Sequence, residues 1–208
     1  IYIGTKQTEL ASCLDSLSNQ TLNPDEILIL QDGPVSDDVA SYLKQCQSEL
    51  PINLIEYPIN RGIGTALREG LHECTHDLVA RVDSDDRCLP NRFQRQVSFL
   101  EEHSEISVVG GILRECYATG LTRRQVLKSC PNSPEAIIGI AKKRNPLNHP
   151  TVMFRKSHVL SSGNYEPCLL FEDYFLWAKM LLSGYHLANL PHVLVETQID
   201  PGYFSRRG

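Results

Sequence analysis

No run of about 18 consecutive apolar residues occurs anywhere in the 208-residue chain, so no segment is expected to cross a bilayer as a helix. No stretch of the sequence reads as a secretory leader, with its basic start and short apolar run, so none is expected. Basic residues are also sparse: 20 lysines and arginines stand against 25 acidic residues, for a net charge of -5. They gather only at Arg123-Arg124, Lys142-Lys143-Arg144 and Arg206-Arg207. Nucleic acid demands a dense basic footprint, and its absence argues against such a partner. The seven cysteines (Cys13, Cys46, Cys74, Cys88, Cys116, Cys130 and Cys168) show no CxxC or metal-finger spacing and are odd in number. Free thiols in a reducing cytoplasm are therefore expected, while peripheral contact with a membrane is left open. Neither an internal repeat nor a low-complexity segment interrupts the sequence.

What is present is the composition of one globular domain, 41% hydrophobic and 22% charged, long enough to bury a core. The chain opens on "IYIGTKQTE" without an initiator methionine, as though inside a first strand of which Ile1 to Ile3 are the last part, and stops abruptly at "SRRG". Thr8 is expected to cap a helix from about Glu9 to Ser18, with Leu10, Cys13, Leu14 and Leu17 on one stripe. "EILILQDG" reads as a strand, Asp37 to Glu49 as a helix stopped by Pro51, and "INLIEY" as another strand. "NRGIGTALREGLHE" carries glycines at a turn and then a helix; "DLVARV" is a strand, a helix is expected to start at Pro90, and "ISVVGG" is a strand again. Strands that are apolar on both faces, alternating with helices, predict a sheet covered by helices. After Gly111 the alternation weakens. "GILRECYAT" and "HPTVMF" read as strands, Pro134 to Arg144 as a short helix, and Glu172 to Ser183 as a helix closed by Gly184.

The stretch "LVARVDSDDRCLP" sets three carboxylates, Asp83, Asp85 and Asp86, directly after an apolar strand. In an open α/β sheet, strand ends face the crevice where ligands bind. Carboxylates crowded there either retain a proton or share a cation. An oxygen-only pair such as Asp83-x-Asp85 suits Mg²⁺ or Mn²⁺, ions that complete their shell with water and substrate phosphates. Taken alone, the same residues equally suit a loop that caps the helix following Pro90.

The segment "ARVDSDDRCLPNRFQRQVSFLEEHSEISVVGG" resembles the central part of family 2 glycosyltransferases, which are inverting, nucleotide-sugar-dependent enzymes of the GT-A fold. "CLDSLSNQT", "ILILQDGP", "NRGIGTAL" and "FEDYFLWAKML" resemble the same family, in the family's order and across nearly the whole chain. The resemblance implies an α/β, GT-A fold with a Rossmann-like mixed central sheet flanked by helices. It implies one glycosyltransferase domain over residues 1–208, with a nucleotide-sugar-binding half at 1–111 and an acceptor-binding half at 112–208. On this likeness Asp32 contacts the nucleoside, although Gln31 stands where the family commonly has a second Asp. Tyr2 matches an aromatic that packs near the base. Asp83 and Asp85 match the DxD pair, Asp85 on the cation and Asp83 nearer the ribose, with Asp86 a supporting group or a helix cap. Arg61 or Arg68 would reach phosphate or simply be solvated, and Arg206 and Arg207 would fold over the donor pyrophosphate or form a solvated tail.

Asp173 matches the catalytic base, which takes the proton from the acceptor hydroxyl as it attacks the anomeric carbon; Glu172 would position it or bind acceptor. Without the upstream DxD, both would read as first-turn acids favoured by the helix dipole. His149 would face the acceptor, complete the metal shell or be structural, and Trp177 would stack on sugar or pack in the core. The family setting implies cytoplasmic surface-polysaccharide assembly in bacteria, often at the inner membrane face on a lipid-linked acceptor, with Mn²⁺ or Mg²⁺ as cofactor and a UDP-sugar as donor. Two alternatives are a nucleotidyltransferase, distinguished by pyrophosphate release from a nucleoside triphosphate, and a non-catalytic binding module, distinguished by a donor that binds without turnover.

Overall fold

The computed structural model describes residues 1–119, 122–168 and 170–200. Helix α1 (Gln7–Ser18) buries Leu10, Cys13, Leu14 and Leu17, the stripe expected from spacing. It begins before Thr8, however, with Lys6 at the cap position and no side-chain cap bond. Burial of the stripe, not a hydroxyl cap, sets where this helix starts. Strands β1 (Ile27–Asp32) and β2 (Ile52–Tyr57) pair in parallel, from Ile27 opposite Ile52 to Asp32 opposite Tyr57. Helix α2 (Asp37–Cys46) connects them, and α3 (Ile63–Glu73) packs so closely on β1 that a Cβ at Gly70 would lie 2.4 Å from Leu30 Cδ1.

The second sheet has the order β3 (Leu78–Ala80), β7 (Met153–Arg155), β5 (Ile106–Thr119), β8 (His186–Ile199), β4 (Asp86–Cys88), with β6 (Thr122–Lys128) branching from β5. Only β5 and β8 are parallel in it; the other pairs are antiparallel. The mixed α/β architecture matches expectation, its described strands pairing as a 2-stranded and a 6-stranded sheet. Ile1 does flank β1, donating to Leu30 O (2.7 Å) and accepting from Asp32 N (2.9 Å). The chain then turns at once, Thr5 N reaching Tyr2 O at 2.9 Å, so Ile1 to Ile3 are not a strand.

The segments on either side of Gly110-Gly111 belong to one long strand, β5. A Cβ at Gly110 would stand 2.5 Å from Asn189 Oδ1 and one at Gly111 2.5 Å from Leu194 Cδ1, so both glycines admit side chains of β8. "HPTVMF" is not a single strand: His149–Thr151 is a 3₁₀ turn and β7 starts at Met153. Helix α4 (Arg92–Glu102) lays Phe93, Gln96 and Leu100 inward beside a fully buried Arg92. Helix α5 (Pro134–Ala141) is capped by Ser133 Oγ, which accepts from Ala136 N; α6 (Lys156–Ser161) follows β7, and α7 (Glu172–Leu182) ends before Gly184. The core has two main parts, one joining α1, α2, α4 and β1, the other wrapping α7 with Leu147, Val152, Phe154 and Tyr165.

Candidate active site

The acidic turn is built from beneath. Arg92, buried with no exposed surface, donates through Nη2 to Arg81 O (2.7 Å) and Val152 O (3.1 Å) and through Nε to Gln96 Oε1 (3.0 Å). Gln96 in turn donates to Val109 O and Thr151 O, both at 2.8 Å. These bonds fix the exit of β3, from which Val82 leads into a turn closed by Asp86 N donating to Asp83 O at 3.1 Å. Cys13 of α1 lies behind the turn, its Sγ 3.4 Å from Asp83 O, and burial pushes its thiol well above the ordinary range.

The Arg81 guanidinium pairs with both carboxylate oxygens of Asp83. Arg81 was not anticipated from the sequence. Residues two apart in an extended chain share a face, and "Arg-Val-Asp" was the signal available. Asp86 caps no helix: it opens β4 opposite Thr197, whose hydroxyl donates to its Oδ1. Its Oδ2 is buried with no partner among the described residues. Burial, reinforced by the charge of Asp83, pushes the Asp86 carboxyl up to about 8.

Across the site, the first turn of α7 presents Glu172 and Asp173, each 8% exposed. Asp173 accepts from Asn145 Nδ2 (2.6 Å) and from Tyr174 N (2.7 Å). Burial raises its pKa, and the Asn145 bond partly offsets this by favouring the ionised form. Burial raises Glu172 as well, and its Oε2 has no partner among the described residues. Asn145 also escaped the sequence reading, since nothing local ties "RNP" to a helix 28 residues later. His149 lies with Nδ1 4.0 Å from Asp173 Oδ2 and Nε2 3.0 Å from the hydroxyl of buried Tyr165. Trp177 is completely buried and meets the His149 ring edge-on at 6.1 Å; it supports the site from the core and has no exposed face for a sugar.

Arg81 links the acidic turn to the first turn of α7 electrostatically. Its charge acts on both Asp173 and Glu172, and that of Asp83 reaches Glu172. The Asp32 carboxylate accepts from the amides of Arg61 and Gly62, each at 2.9 Å, tying the "NRG" turn to β1. Gly33 is pressed against that turn at φ +91°, where a Cβ would stand 2.8 Å from Asn60 N. Arg61 is committed to Glu69 through bonds of 2.9 and 2.8 Å and stacks 3.9 Å from the centre of the Tyr57 ring. Arg68 is exposed, and Tyr2 is 39% exposed with its ring lying over Gly4. Arg206 and Arg207 lie outside the described residues. A surface recess of about 470 Å³ lined by Ile55, Tyr57, Glu69, His72 and Glu73 contains none of Asp32, Asp83, Asp85, Glu172 and Asp173. The candidate site is marked by its chemistry, not by that recess.

A family profile described as Glycosyl transferase family 2 matches residues 5–161, well over half of the chain. The chain belongs to glycosyl transferase family 2. Among its relatives in this family, the amylovoran biosynthesis glycosyltransferase AmsE of Erwinia amylovora is 40% identical over 207 residues, covering 100% of this chain and 77% of that protein. The UDP-Gal:alpha-D-GlcNAc-diphosphoundecaprenol beta-1,3-galactosyltransferase of Escherichia coli is 34% identical over 208 residues, covering 100% of this chain and 75% of its own. Among solved structures, S. aureus TarS superposes with a TM-score of 0.71 at 19% identity, over 100% of this chain and 37% of TarS. The mannosyltransferase PcManGT from Pyrobaculum calidifontis, in complex with GDP-Man and Mn²⁺, gives 0.73 at 16% identity, over 99% of this chain and 58% of its own. These likenesses carry the fold, which is GT-A, and the chain spans only part of each solved structure.

Proposed function

We propose that this family 2 chain is an inverting, metal-dependent glycosyltransferase that moves one sugar from a nucleotide-sugar donor, a UDP-sugar, to a lipid-linked saccharide acceptor in polysaccharide biosynthesis. The observation that carries the reading is that the buried guanidinium of Arg81 pairs with Asp83 of the acidic turn while its charge acts on Glu172 and Asp173 in the first turn of α7. In this reading the donor-side and acceptor-side carboxylates work at one site. The name of the E. coli relative, with its UDP-linked donor and diphosphoundecaprenol acceptor, supports the donor and acceptor classes. A neighbour of the same fold in complex with UDP-GlcNAc supports a uridine nucleotide. In this reading residues 1–111 bind the donor and 112–208 the acceptor. The reaction runs in the cytoplasm at the inner membrane face; among the described residues no helix is long and apolar enough to cross a membrane.

The donor set fits a hard divalent cation held through one carboxylate. Arg81 already compensates Asp83, so Asp85 would be the residue to hold Mn²⁺ or Mg²⁺ together with the donor. Such an ion would supply positive charge to balance the departing diphosphate. Asp32 and Asp83 fix the nucleoside and ribose. Asp173, oriented by Asn145, accepts the proton of the attacking hydroxyl, and the new bond forms on the face opposite the departing nucleoside diphosphate. Burial favours this transfer by making the carboxylate a stronger base. The test is to supply an α-linked UDP-sugar and a lipid-diphosphate saccharide and read the product's anomeric proton by NMR. A β-linked product with stoichiometric UDP supports the reading. An α-linked product, or no transfer to any saccharide, contradicts it.

A further inference from the structure

We propose that His149, Glu172 and Asp173 form a binding site for a divalent transition-metal ion of the Zn²⁺ or Co²⁺ class, separate from the Asp85 position. Each residue offers one ligand atom, and the three atoms lie within 4.8 Å of one another, close enough for small side-chain rotations to bring them onto one ion. One imidazole nitrogen with two carboxylate oxygens is a donor set that such ions accept and that differs from the oxygen-only acidic turn. The His149 ring is oriented as metal-binding imidazoles are: one nitrogen faces a fixed partner, Tyr165 Oη at 3.0 Å, and the other points to Asp173 at 4.0 Å.

A second observation points independently to a cation. Glu172 is only 8% exposed, yet its Oε2 has no partner among the described residues. A buried carboxylate oxygen without a donor is costly, and a cation relieves that cost. The three ligands sit on two well-packed elements, the 3₁₀ turn and the first turn of α7, so little ordering is needed on binding. Arg81 opposes a further positive charge here, but its guanidinium is engaged by Asp83.

An ion at this position occupies Asp173 and keeps it from taking a proton, so Zn²⁺ inhibits transfer. That consequence rests on the proposed catalytic role of Asp173; the binding itself does not. The test titrates Co²⁺ into the full chain carrying Asp85→Ala, which disables the acidic turn, and follows the visible d–d absorption, with displacement by Zn²⁺ measured calorimetrically. The expected result is one bound ion, with affinity reduced at least about tenfold on adding either His149→Gln or Glu172→Gln. Circular dichroism checks folding, and His149→Ala is the second variant should His149→Gln be unstable. The absence of an ion in the Asp85→Ala protein, or binding unchanged by the His149 and Glu172 variants, overturns the site. Transfer is read in the wild type with Zn²⁺ added: if the ion binds at this site and transfer proceeds undiminished, the site stands and the role of Asp173 as base falls.

Discussion

Asp173 and Asn145 test the chemistry at the scale of single residues. Asp173→Asn preserves shape and removes the proton acceptor, so donor binding should persist while turnover falls by roughly 10²–10⁴-fold, measured by calorimetry and single-turnover kinetics. Because burial raises the Asp173 pKa, the acid limb of the rate profile should lie above the ordinary aspartate range. Asn145→Ala removes a bond that favours the ionised form, so that limb should move to still higher pH. A limb that stays put would separate Asn145 from the base. Arg81→Met should weaken UDP binding by about 10- to 100-fold, the usual size of a lost charge-assisted contact. Asp83, Asp85 and Asp173 could be proposed as site residues from the sequence because the segments around them carry a family likeness. Arg81 and Asn145 were not, since their roles arise from side chains that meet only after β3, α7 and the segment between α5 and the 3₁₀ turn have packed.

At the level of elements, the turn after β1 and the frame beneath the acidic turn carry the strongest constraints. Gly33 has φ +91° and a substituent there would strike the Asn60 backbone, so Gly33→Ala should release the turn that Asp32 holds and lower both stability and UDP affinity. Arg92→Met leaves the carbonyls of Arg81 and Val152 without that donor, at a cost of about 3 kcal/mol. For a chain of this size that is a fall in Tm of about 6–12 °C, readable in a thermal melt. Helices α1 and α7 and strands β1 and β2 were legible from period and burial. Strand β8 was not: Pro191 and exposed His192 interrupt it, and such residues normally argue against a central strand. They are accommodated near the register shifts opposite Gly110 and Ile112, an irregularity that no local pattern reveals. Likewise β4 is only three residues long and begins on a charged residue, Asp86, so it read as part of an acidic loop.

For the whole molecule, burial beside like charge ties stability to pH. Asp86 binds its proton more tightly in the folded state, with its pKa raised from 3.8 to about 8. Its contribution is therefore fully present below the unfolded value and is lost as pH rises through about 8. Measured in chelator, the Tm of the wild type relative to Asp86→Asn should fall between about pH 5 and pH 9. A constant difference would mean that Asp86 does not titrate in this window. In the proposed function, the two sheets, the acidic turn and the first turn of α7 act together in nucleotide binding. The most direct measurement is a calorimetric titration of UDP with Mn²⁺ present and then chelated, with GDP as control. The account predicts UDP binding that requires the metal, is selective over GDP and is lost in Asp85→Ala. UDP binding of equal strength with the metal chelated, or unchanged in Asp85→Ala, would contradict it.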